Sequence, residues 1–325
     1  MNETTTQQIP QEVSNVYNRA LLMRVTPYFV HTKWAQIKDI AQKSGTQTIK
    51  FRRYGNLSVQ KTPITEGITP VGSKLSVTDI TATTEQYGDY IKLTDVVQYQ
   101  TEDPILVETA QILGDQASDT LDQLCRDVMA AGTNVHYAES KTQRSDVANT
   151  SVFAILDILK IVRTLKNANA KKMTTMVDPS NGYNTVPLQP CFIGLVHPNT
   201  VYGMKQLAAV GQIKFNSVET YASSKAIMDA EVGAIDEVRF IETTNAKIFA
   251  GQGNGGIDVY ATLILARDAY GVTRISGKAL ENIVKPLGAG DDPLNQRSTS
   301  GWKATFVAKI LNNSFLVRYE HAVSA

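Results

Sequence analysis

Gly45-Thr-Gln-Thr-Ile-Lys-Phe-Arg-Arg-Tyr-Gly55 opens a segment that changes character halfway, at Thr101-Glu-Asp-Pro104. Before that point the chain reads as a long extended excursion over residues 45–95. Ile49 and Phe51 alternate with Lys50 and Arg52, the period-two pattern of a strand. Pro63, Gly67, Pro70 and Gly72 break regular structure at its tip, and Val77, Ile80, Tyr87, Tyr90 and Ile91 mark a returning arm. After that point the pattern is helical. Asp103 is placed to cap a helix and Pro104 suits its first turn, where no N–H partner is needed. Leu106, Ala110, Leu113, Ala117, Leu121, Leu124, Val128 and Ala131 then recur at steps of three and four, one apolar stripe at helical period. Gly132 is the expected C-cap. A hairpin too long to pack on its own domain, followed by one very long helix, suits a subunit that reaches over its neighbours.

Charge supports that reading. The whole chain has 32 Lys and Arg against 31 Asp and Glu, so no global field draws it to nucleic acid. Locally the balance is uneven. Residues 41–78 carry Lys43, Lys50, Arg52, Arg53, Lys61 and Lys74 against Glu66 alone, a net of +5. Residues 102–127 carry Glu102, Asp103, Glu108, Asp115, Asp119, Asp122 and Asp127 against Arg126, a net of −6. Exposed ion pairs contribute only ~0.2–1 kcal/mol each, so a row of them fixes register more than it adds strength. The expected inter-subunit contacts are Lys50, Arg52, Arg53, Lys61 and Lys74 of one copy against Glu108, Asp115, Asp119 and Asp122 of the next.

Elsewhere the pattern is mixed. Apolar residues between 16 and 40 are unevenly spaced, as in short helical pieces of an extended arm. A second amphipathic helix is expected over 151–168, a Pro/Asn/Gly-rich loop over 178–190, a buried strand over 191–196 and a helix from His197-Pro198-Asn199 to about 209. Strands are expected at 238–241, 246–250 and 257–266. The stretches 304–311 and 314–321 read as a hairpin around Asn312-Asn313. Without a regular βαβ period, the class is α+β. The 325 residues suffice for about two domains.

Signals for chemistry are weak. Gly251-Gln-Gly-Asn-Gly-Gly256 fits G-x-G-x-x-G, but a strand follows it where a nucleotide site needs a helix, so a hairpin loop is expected. His31, His136, His197 and His321 lack metal-ligand spacing, and Asp291-Asp292 before Pro293 reads as a solvated turn. Cys125 sits near the apolar stripe and is expected to be packed, and Cys191 is far from it, which fits a reduced setting. No catalytic residue, cofactor site or metal site is expected. The polar first ten residues predict no secretion signal, and no apolar run is long enough to span a membrane.

Several segments carry a resemblance. Lys50-Phe-Arg-Arg-Tyr-Gly55, Thr65-Glu-Gly-Ile-Thr-Pro-Val-Gly72, Gln86-Tyr-Gly-Asp-Tyr-Ile-Lys-Leu-Thr-Asp95, Leu121-Asp-Gln-Leu-Cys-Arg-Asp127 and Ala131-Gly-Thr-Asn134 resemble the N-four-like family of tailed-phage major capsid proteins. Glu231-Val-Gly-Ala-Ile-Asp-Glu-Val-Arg-Phe-Ile-Glu-Thr243 and Asp258-Val-Tyr-Ala-Thr-Leu-Ile-Leu265 are similar to its second half. The resemblance implies the Hong Kong phage-type capsid fold. It implies an N-terminal arm at 1–44, an extended loop at 45–95, a peripheral domain at 96–184 with a spine helix at 103–132, an axial domain at 185–289 and peripheral return strands at 290–325. It further implies hexamers and pentamers in an icosahedral head enclosing double-stranded DNA, held by weak nonspecific contacts. Scaffolding, portal and decoration proteins are the implied partners, with assembly in the host bacterial cytoplasm and no membrane. The arm is too short to be a cleaved scaffolding segment, so a separate scaffold is expected; Lys61 has no marked cross-linking partner. The alternatives are an encapsulin-like compartment and a soluble enzyme holding a nucleotide at residues 251–256.

Overall fold

The computed structural model describes residues 29–39, 48–96 (without 56, 65, 68, 70 and 71), 105–177, 185–217 (without 210 and 212–214), 228, 230–274, 280–287 and 293–323. The expected cap at Asp103, the acidic pair at Asp291, most of the arm and residues 178–184 of the loop expected over 178–190 lie outside these residues; the remainder of that loop, 185–190, is instead part of a strand, Thr185–Val196.

The strands are β1 (Gln36–Lys38), β2 (Thr48–Tyr54), β3 (Val77–Thr83), β4 (Glu85–Thr94), β5 (Val135–Tyr137), β6 (Met173–Val177), β7 (Thr185–Val196) and β8 (Asn216–Ser217). They continue as β9 (Glu231–Ile235), β10 (Val238–Glu242), β11 (Ile248–Phe249), β12 (Val259–Leu265), β13 (Tyr270–Thr273), β14 (Leu280–Lys285), β15 (Arg297–Phe306), β16 (Ala308–Ile310) and β17 (Leu316–His321). The helices are α1 (Ile105–Ala130), α2 (Ile155–Asn167) and α3 (Pro198–Ala209). The class is α+β, as expected.

The excursion divides on its return. β3 pairs antiparallel with β2, Thr48 opposite Thr83 and Tyr54 opposite Val77. β4 then leaves the hairpin and pairs along its whole length with β15, which β14 flanks on its other edge. A separate nine-stranded sheet runs β5-β17-β12-β7-β10-β9-β8, with β11 beside β12 and β6 beside β7.

That large sheet is buried on both faces, and side-chain alternation explains how. Ile193, Leu195, Leu263 and Leu265 join the cluster under α1, while Phe192, Val196, Phe240 and Ile264 join the cluster under α2 and α3. α1 presents Leu113, Ala117, Leu121, Cys125 and Met129 to the first cluster, together with Trp302, Ala304 and Phe306 from β15. Its 26 residues span ~39 Å. Fully burying Leu113, Leu121 or Met129 contributes ~1.5–3 kcal/mol each. The buried stripe is rolled slightly from the expected one: Leu124 and Val128 are half-buried, and Cys125 and Met129 take the centre.

Two local expectations are corrected. The end of the chain is not a hairpin. β16 pairs with β13, and β17 pairs with β12 and β5, so 304–311 and 314–321 enter different sheets. Asn312 instead caps a short 3-10 turn, its side chain accepting from the Ser314 N–H at 3.1 Å. Gly132 follows α1 without the positive φ of a glycine C-cap. It is needed because a Cβ there would lie 2.9 Å from Leu316 Cδ2. The last helical carbonyls are served by Arg318, whose guanidinium donates to the oxygens of Ala130 and Gly132. A cation there also suits the negative end of the helix. Arg318 and Arg144 share the fully buried Glu320, at 2.6 and 2.7 Å.

Candidate assembly surface

The hairpin is fixed at its root and uncovered toward its tip. Ile49, Phe51 and Ala82 are buried with Leu311. Phe51 lies on Gly271, where a Cβ would come within 2.5 Å of its ring. Lys38 reaches over the same ring at 5.9 Å and donates to the Lys50 carbonyl. Beyond Phe51 the pattern changes: Tyr54, Leu57, Val59, Ile64, Leu75 and Val77 are all exposed, Val59 by 80%. Lys50, Arg52, Arg53, Lys61 and Lys74 are exposed too. Arg52 faces Asp79 across the ladder at 3.4 Å, so the basic run is partly balanced by the first acid beyond it. An isolated two-stranded hairpin is marginal in water. Apolar side chains on such a projection are the mark of a surface that another molecule covers.

The acidic face of α1 is less uniform than its sequence. Glu108 is exposed and Asp115 is half-buried with an interaction of its own. Asp119 is exposed and accepts from Asn245 Nδ2 at 3.2 Å. Asp127 binds Lys247 at 3.0 Å and Arg126 at 2.9 Å, and these cations hold its carboxyl below the usual range although burial pushes it up. Ile112 stands 58% exposed among these groups, one turn from Glu108.

Asp122 does not belong to that face. It is fully buried, and its carboxylate accepts from the backbone N–H of Val30 at 3.1 Å and of His31 at 2.7 Å. His31 Nδ1 lies 2.6 Å from its other oxygen. The His31 carbonyl accepts from Tyr270 and, at 3.5 Å, from Cys125 Sγ. Burial pushes both the Cys125 thiol and the Tyr270 hydroxyl up, with Asp122 adding to each, so Cys125 is packed and not reactive. The knot ties the 29–38 segment of the arm to the spine helix. Asp122 is therefore unavailable to a neighbouring copy, and its cause is positional. It follows Leu121 and shares the buried side with Ser118 and Cys125.

The residues singled out for chemistry serve structure. Gly251, Gly255 and Gly256 have φ of 65°, 72° and 77° and form the turn between β11 and β12, so the loop leads into a strand and does not open an α-helix. His197 Nδ1 accepts from Asn199 N–H at 3.2 Å, and burial lowers its pKa. His321 is enclosed by Phe153, Tyr319 and Thr262, and burial lowers its pKa to about 4. Cys191 is buried and pushed up to about 11. Among the described residues no three His, Cys, Asp or Glu side chains gather as a metal site, and no helix is long and apolar enough to cross a membrane.

Residues 71–275, more than half of the chain, match the family described as phage capsid protein, and the chain belongs to that family. It is a structural major capsid protein of the tailed-phage type, not an enzyme. The fold is similar to the capsid of Ralstonia phage GP4, with a TM-score of 0.66, 13% identity, and 90% of this chain and 87% of that one covered. The head protein of Helicobacter pylori bacteriophage KHP40 gives a TM-score of 0.66 at 10% identity, covering 90% and 88%. The capsid of cyanophage Pam1 gives 0.59 at 13%, covering 93% and 92%. No curated protein matches the chain. The family match favours a phage head over a cargo compartment or a nucleotide-binding enzyme.

Proposed function

We propose that copies of this chain form hexamers and pentamers of an icosahedral head enclosing double-stranded DNA. In each ring, the 48–83 hairpin lies over α1 of the adjacent subunit. The observation that carries this reading is the contrast along the hairpin, buried at Ile49 and Phe51 and uncovered at Tyr54, Leu57, Val59, Ile64, Leu75 and Val77. Lys50, Arg53, Lys61 and Lys74 then meet Glu108, Asp115 and Asp119, with Asp122 excluded by its burial. Ile112 gives the hairpin an apolar anchor inside the acidic rim.

Strand pairing supports a peripheral unit built on α1 and the β4-β15-β14 sheet, and an axial unit built on the nine-stranded sheet. On this division β14 joins the peripheral unit, while β5, β6 and β17 join the axial sheet. A scaffolding protein, a portal and a decoration protein complete the proposed set of partners, with assembly in the host cytoplasm. Contacts with DNA are weak and nonspecific, since the chain is nearly neutral.

Size-exclusion chromatography with negative-stain electron microscopy tests the proposal. Rings or closed shells are expected, from the chain alone or with the phage's scaffolding protein. A uniform monomer under both conditions would contradict it.

A further inference from the structure

The β14-β15-β4 sheet has one face on α1 and one face uncovered. Register places Ile283, Gly301 and Tyr90 in one row across the uncovered face. Ile283 is 42% exposed and Tyr90 58%. A Cβ on Gly301 would lie 2.7 Å from that of Tyr90, so the aromatic residue crowds the glycine and the row forms a shallow apolar strip. Lys285 and Lys92 both stand opposite Thr299, which puts them about 10 Å apart on one side of the strip. Lys303 stands on the other side, about 14 Å along β15 from Thr299. Lys92 Nζ lies 5.5 Å above the Tyr90 ring. Arg297 extends the same face at the end of β15. Among the described residues of this face the single carboxylate is Glu281, opposite Lys303. All three lysines are exposed.

We propose that this face docks an acidic polypeptide segment with an apolar residue at its centre, supplied by a protein other than the coat subunit. An apolar centre with a charged rim is the anatomy of a protein interface. A nucleic-acid duplex would meet the lysines but gain nothing from Ile283. A second copy of the hairpin is excluded by its like charge. The acidic face of α1 in a second copy is occupied by the hairpin, a step that rests on the proposed assembly.

The test uses assembled shells and free subunits, with three fluorescent probes. These are a peptide of glutamates around a central leucine, the same peptide with a central serine, and a short DNA duplex. The leucine peptide is expected to bind wild-type shells more tightly than the serine peptide does. Its affinity falls at least about tenfold in the Lys92→Glu/Lys285→Glu/Lys303→Glu shell and about fivefold in the Ile283→Ser shell. Duplex binding is unchanged by Ile283→Ser, because a duplex meets the lysines and not the apolar strip. Both variants are expected to assemble normally, which separates this face from the hairpin contact. Three results would overturn the inference: no difference between the peptides, a duplex preference that the lysine changes abolish, or peptide binding by free subunits alone. Failure of the triple variant, and of its Lys→Gln counterpart, to assemble would assign the lysines to a shell contact and overturn it as well.

Discussion

His31 Nδ1 lies 2.6 Å from Asp122 Oδ2, and both side chains are fully buried. The two residues are 91 positions apart, so this contact closes the arm onto the middle of the spine helix. Removing one partner of a buried pair leaves the other desolvated without compensation. Asp122→Ala leaves the buried N–H groups of Val30 and His31 and the His31 ring without their acceptor, and is expected to lower stability by about 3 kcal/mol or more in denaturant unfolding. Amide exchange over residues 29–38 should rise at the same time. A loss below about 1 kcal/mol would show that the pair does not hold the arm.

Gly271 supports the root of the hairpin through the absence of a side chain. Gly271→Ala forces a methyl against the Phe51 ring and is expected to cost about 1–3 kcal/mol. Adding Phe51→Leu should recover part of that loss, because it removes the ring that the methyl meets. A neutral Gly271→Ala variant, read by thermal unfolding, would remove Phe51 from its place at the root.

His321 predicts a loss of stability in acid. Its pKa is lowered to about 4 from 6.5, so between these values the unfolded chain binds the proton and the folded chain does not. The contribution is present in full above pH 6.5 and is lost as pH falls toward 4, by up to about 3 kcal/mol. Lowered carboxylates such as Asp157 also lose stability on acidification, at the lower pH of carboxylate titration. The measurement is therefore the difference between wild type and His321→Gln in denaturant unfolding at pH 7, 5 and 4. The gap should narrow or reverse as pH falls; a constant gap would contradict the assignment.

Much of this fold is readable from short-range pattern. Alternation at 47–54 and the 3-4 spacing after Pro104 are local signals, and β2 and α1 follow them closely. Long-range pairing is not written in that form. Asn312-Asn313 between two apolar runs reads as a hairpin turn, yet β16 and β17 find partners in separate sheets, which only the assembled core decides. Asp122 is the same lesson in the candidate surface. Charge alone places it with Glu108 and Asp119, while its position beside Leu121 and one turn before Cys125 and Arg126 places it inside. Ser118, Asp122, Cys125 and Met129 share one helical face and are all buried. The basic run of the hairpin was legible, except that Asp79 lies one residue past the counted window and engages Arg52.

The most direct measurement is assembly of the Lys50→Glu/Arg53→Glu/Lys61→Glu subunit, scored by electron microscopy, alone and with Glu108→Lys/Asp115→Lys added. Arg52 is left unchanged because it pairs with Asp79 inside the hairpin. A hairpin that lies over the neighbour's spine predicts few or no shells from the triple variant and recovery when the spine charges are reversed too. Wild-type yields of shells from the triple variant would contradict the account.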